Sequence, residues 1–82
     1  MSPRSFDPDD SVVALGSTIR FLRVQKELSQ EDLALLAGVH PTYLSHIERG
    51  QRNLTWTALR KISFALGVPV HELVRLTEEF ER

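Results

Sequence analysis

The 82-residue chain has no cysteine, which excludes a disulfide framework and any thiolate-ligated metal site and agrees with a reducing cytoplasm. No apolar run is long enough for a membrane-spanning helix or the core of a secretory signal. Aromatic residues are few, with one tryptophan, one tyrosine and four phenylalanines. Charge of one sign is also lacking: the formal net charge is −1, which argues against a general polyanion binder. No Gly-rich phosphate loop is present, and nothing marks a cofactor site or a small-molecule ligand. His40, His46 and His71 lack the spacing of a zinc site, so no metal is expected. Catalysis is poorly supported: Ser45, His46 and Glu48 share one helix, with Glu48 facing away from the other two.

What the chain does have is a run from residue 29 to residue 53, SQEDLALLAGVHPTYLSHIERGQRN, that reads as two short helices joined by a tight turn. Ser29 is placed to cap the first, with Asp32 three residues on as a shortened capping box. Leu33, Ala34 and Ala37 line one face, Gly38 can end the helix in a left-handed conformation, and Val39 can plug the angle to the next. Pro41 suits the first position of the second helix, where its fixed φ is correct and its missing N–H would be unpaired anyway; this leaves His40 as an unusual N-cap.

Leu44 and Ile47 must face inward from that second helix, while Thr42, Ser45, His46 and Arg49 recur on another face. Short hydroxyl side chains suit close approach to base edges, and Arg49, Arg52 and Asn53 suit phosphate contacts. This is the layout of a helix-turn-helix whose second helix docks in the DNA major groove; the plain alternative is the solvated side of an amphipathic helix. Glu48, four residues after Leu44, points inward and needs a cation, because an unpaired buried carboxylate costs several kcal/mol, roughly. Arg23, four after Ile19 near the apolar face of the predicted first helix, is the candidate for a structural ion pair.

Over residues 16 to 73 the chain resembles the lambda repressor-like, Xre-type helix-turn-helix family, through LSQEDLALLAGV, YLSHIERGQRN and ALGVPVHEL. PTYLSHIERGQRNLT is also similar to the small controller proteins of restriction-modification systems, single-domain members that bind operators as dimers. The resemblance implies an all-α, compact five-helix domain and a homodimer on a pseudo-palindromic operator, acting in the cytoplasm. It places Gln30 where the family commonly holds a phosphate, and Pro41, Thr42, Ser45 and His46 where it reads bases. Pro41 departs from the usual polar residue and can offer only apolar contact, for instance to a thymine methyl. Tyr43 matches a tyrosine that controller proteins set against DNA, or else it covers the core edge. The family also has an internal pair similar to Arg23 and Glu48.

Residues 1–10, with two prolines and acids, are expected to form a mobile arm, and residues 11–82 the DNA-binding domain. Asp10 or Ser11 is expected to cap a first helix running to about Lys26, with Gly16, Ile19 and Leu22 as its core stripe and Gly16 allowing close approach of a neighbour. Thr55 is placed to cap a fourth helix, with Leu59, Ile62, Ala65 and Leu66 inward and Gly67 as its stop. The fifth helix has more apolar positions than one stripe needs: with Leu73 and Leu76 inward, Val70, Val74 and Phe80 form a candidate dimer surface. Trp56, just after the cap, either joins this surface or shields the loop.

From Arg20 to Lys61 seven basic residues face four acids, while both ends of the chain are acidic. Such a chain should hold random DNA weakly and depend on base contacts and dimer symmetry. The alternative is an antitoxin-like protein-interaction module, its acidic ends engaging a basic partner protein.

Overall fold

The computed structural model describes residues 5–81, and among these it has five helices and no strand. They are α1 (Pro8–Gln25), α2 (Gln30–Ala37), α3 (Pro41–Glu48), α4 (Trp56–Leu66) and α5 (Val70–Phe80). α1 packs against α3 and α5, α2 against α3 and α4, and α4 against α5, so the five helices close around a shared core.

The local rules that set these boundaries hold for α2, α3 and α4. Ser29 and Asp32 complete a reciprocal capping box at α2, and Gly38 ends it at φ 69°. His40 does cap α3, its Nδ1 accepting the Thr42 N–H at 3.1 Å, with Pro41 in the first turn. Thr55 caps α4 by accepting the Ala58 N–H at 3.1 Å, and Gly67 ends that helix at φ 68°. α5 follows directly after Pro69.

The start of α1 differs from expectation. Asp7 is the N-cap, its side chain accepting the Asp9 N–H at 2.9 Å, and the helix begins at Pro8 rather than after Asp10 or Ser11. The physical reason is the one that applies at Pro41: a proline in the first turn loses no hydrogen bond, and Asp9 and Asp10 then sit favourably at the positive end of the helix dipole. Residues 8–10 of the expected arm are therefore helical, and residues 1–4 lie outside the described residues. Ser11 sits inside α1, where its hydroxyl donates to Glu81 Oε1 at 2.8 Å.

The core is built by Ile19, Leu22, Leu33, Ala34, Ala37, Leu44, Ile47, Ile62, Leu66 and Leu73. Each large member contributes about 1.5–3 kcal/mol by leaving water. Val39 packs against this cluster from the turn, as a plug should. α1 and α3 touch backbone to backbone at Gly16, where a Cβ would run into the Ile47 carbonyl oxygen. Thr18 and Thr77, both buried, join α1 to α5 through their hydroxyls 3.0 Å apart, and Thr18 donates to the Ala14 carbonyl.

Candidate nucleic-acid interface

The turn from Gly38 to His40 swings α3 across the N-terminal end of α2, so that the outer side of α3 and the first residue of α2 share one surface. Leu44 and Ile47 are buried beneath it, at 0% and 1% exposure. Above them Pro41, Thr42 and Arg49 are exposed and Ser45 and His46 half-buried. Gln30, Pro41, Thr42, Ser45 and Arg49 line a single shallow concavity together with Arg23, Ser29 and Glu31. Five of the nine expected DNA-facing residues thus come together in one hollow.

The remaining four lie beside it. Tyr43 is half-buried and packs against the core cluster, and the Arg52 guanidinium sits 5.0 Å from its ring centroid. The ring therefore covers the core edge and also serves as a platform for an arginine in the loop after α3. Asn53 is exposed, its side-chain oxygen accepting the Leu54 N–H at 2.8 Å, so only its amide NH2 is left to donate to a phosphate. His46 lies on the last turn of α3, away from the hollow's lining.

Arg23 and Glu48 form the expected ion pair: Nε meets Oε2 at 2.7 Å and Nη2 meets Oε1 at 2.9 Å, with the Glu48 side chain 1% exposed. Two further bonds were not foreseen. Arg23 Nη1 donates to the Leu28 carbonyl at 2.8 Å, and Gln30 Nε2 donates to Glu48 Oε1 at 3.0 Å. Gln30 could have been linked to Glu48 from sequence only by knowing how α2 crosses α3. With Arg23 and Glu48 compensating each other, the remaining charged side chains of the hollow are Arg49 and Glu31, and Arg49 is the one suited to an anionic backbone at its rim.

On the far side, Val70 is half-buried and Val74 and Phe80 are 43% and 47% exposed. Phe80 is partly engaged within the chain, its ring edge-on to Phe21 with centroids 6.1 Å apart. Phe64, which sequence periodicity had not singled out, is 90% exposed on α4. Trp56, 66% exposed on the same helix, lies under the Arg60 guanidinium at 5.9 Å.

A capped helix, a tight glycine turn and a second helix with an exposed polar face over buried Leu44 and Ile47 define a helix-turn-helix protein. The model of the helix-turn-helix family HTH_3 matches residues 19–73, and the chain belongs to that family of DNA-binding transcriptional regulators. It is 44% identical over 63 residues to the control protein C.BamHI of Bacillus amyloliquefaciens, covering 76% of this chain and 78% of that one. The restriction-modification controller protein C.AhdI of Aeromonas hydrophila superposes with a TM-score of 0.74 at 42% identity, covering 76% of this chain and 94% of that one. Another controller, C.Esp1396I, solved as a tetramer in complex with its natural 35-base-pair operator, gives a TM-score of 0.81 at 31% identity, covering 95% and 97%. No helix among the described residues is long and apolar enough to cross a membrane.

Proposed function

We propose that the chain is a sequence-specific regulator that binds a pseudo-palindromic operator as a homodimer in the cytoplasm. One observation carries this reading: a single hollow joins the N-terminus of α2, a natural phosphate site, to the hydroxyl-bearing face of α3. In it Thr42 and Ser45 read base edges, His46 reads from the neighbouring turn and Pro41 offers apolar contact. Gln30, Arg49, Arg52 and Asn53 hold the sugar-phosphate backbone, and Tyr43, whose ring lies under the Arg52 guanidinium, contacts DNA beside it. The second chain docks through the outer surfaces of α4 and α5, where Val70 and Val74, the exposed edge of Phe80, and Phe64 offer apolar area. No catalysis is assigned, because Glu48 is engaged by Arg23 and Gln30 beneath the helix and cannot orient His46 or Ser45.

Several relatives being controllers favours that role within a restriction-modification system, and a methyltransferase and endonuclease gene beside this one would support it. The regulator reading is tested by selecting bound sequences from a random duplex library at near-physiological salt and then measuring stoichiometry on the winning site. An enriched pseudo-palindrome holding two chains is expected. No enrichment by well-folded protein overturns the reading and turns attention to the alternative, a module that captures a partner protein.

A further inference from the structure

The Glu48 carboxylate reaches beyond its ion pair. Oε2 takes Arg23 Nε at 2.7 Å, while Oε1 takes Arg23 Nη2 at 2.9 Å and Gln30 Nε2 at 3.0 Å. Arg23 spends its remaining nitrogen on the Leu28 carbonyl, in the turn just before Ser29. A single side chain from the inner face of α3 thus ties together the end of α1, the α1–α2 turn and the first residue of α2.

The chemistry of that contact fixes an orientation. An ionised carboxylate has only lone pairs to offer, so Gln30 must turn its NH2, not its oxygen, toward Glu48. One N–H is used inward, and among the described residues nothing takes the other. Gln30 lines the hollow at the first position of α2. The Asp32 N–H is taken by the Ser29 hydroxyl and the Leu33 N–H by the Ser29 carbonyl, which leaves the backbone N–H groups of Gln30 and Glu31 for a ligand.

We propose that Glu48 is a positioning residue for DNA binding: by locking the Gln30 carboxamide, it aims the free side-chain N–H at the same DNA phosphate as the first backbone N–H groups of α2. The inference rests on the reading of this hollow as the DNA interface. Neutralising Glu48 requires only Arg23, so the bond from Gln30 is not needed for charge compensation. Its effect is preorganisation. A glutamine free to rotate gives up that freedom when it binds, whereas here folding has already removed it. The same carboxylate sits on α3, so the phosphate grip and the base-reading helix are held in register by one group.

The test measures affinity for a duplex of fixed random sequence, about 20 base pairs long, at low salt. It compares the full chain with Gln30→Ala, Glu48→Gln and the double variant, each checked for folding by circular dichroism. Each single change is expected to weaken binding by roughly three- to tenfold, and the double variant by no more than the larger single loss. Glu48 would be structural only if folded Glu48→Gln binds like the native chain, or if the two losses multiply. Should Glu48→Gln not fold, the Gln30 side-chain amide of the native chain is followed by nuclear magnetic resonance. The inward proton is expected to be protected from exchange before DNA is added, and the outward one to shift when duplex is added. An unprotected amide, or one unmoved by duplex, overturns the proposal. A native chain that binds no duplex would instead remove the interface reading itself, and this inference with it.

Discussion

Arg23 and Glu48 meet through two side-by-side N–H···O bonds of 2.7 and 2.9 Å, on a carboxylate whose side chain is 1% exposed. The bidentate geometry is what makes a buried pair tolerable, because each charge is satisfied by direct hydrogen bonds after leaving water. Removing one partner is therefore costly. Arg23→Ala leaves a buried carboxylate without its cation and should lower stability by about 3–5 kcal/mol in a urea titration. A loss below about 1 kcal/mol would mean that the pair is not what holds α1 to α3.

Gly16→Ala should also destabilise, although it adds only a methyl group. The position faces the Ile47 and Glu48 carbonyl groups, which are helix backbone and cannot swing aside as a side-chain tip would. We expect a loss of about 1–3 kcal/mol, read from thermal melts, and a structure in which α1 and α3 have moved apart. An unchanged melting temperature would contradict the contact.

Arg52 rests over the Tyr43 ring at 5.0 Å, in the loop beyond α3. Arg52→Ala should weaken binding to matched and random duplexes alike, and flatten the slope of log affinity against log salt by about 1. A preserved slope with altered base preference would move Arg52 from backbone contact to base reading.

The outer surfaces of α4 and α5 predict a separation of folding from assembly. Phe64 is 90% and Val74 43% exposed, so charging them removes little from the core. Phe64→Lys with Val74→Lys should give a folded monomer in sedimentation at concentrations where the native chain is a dimer, and operator affinity should fall accordingly. A variant that still dimerises would place the interface elsewhere.

What the sequence made legible was governed by short-range rules. The capping box at Ser29, the left-handed Gly38, the proline start at Pro41 and the cap at Thr55 each depend on residues within one turn, and each stands in the structure. The Arg23 and Glu48 pair was legible because an inward carboxylate demands a cation and the first helix offered one near its apolar face. The start of α1 departs from the sequence reading because that reading counts Pro8 toward a mobile arm, although the same first-turn rule places Pro41 inside a helix. Gln30 bonding to Glu48, Tyr43 carrying Arg52 and Thr18 meeting Thr77 depend on how helices and loops cross, which a periodic pattern does not specify. Periodicity does not mark Phe64, because it identifies the inward stripe and passes over an apolar residue that faces out.

The central claim is that base preference resides in the hydroxyl-bearing face of α3, and repeating the library selection with Thr42→Ala tests it most directly. Thr42 is exposed in the hollow and contributes nothing to the buried core, so the variant should fold as the native chain does. The account predicts that preference is lost at one symmetric position in each half-site, at a cost of about 1–3 kcal/mol on the native operator and less on random duplex. Unchanged preference at every position, or equal losses on both duplexes, would contradict it.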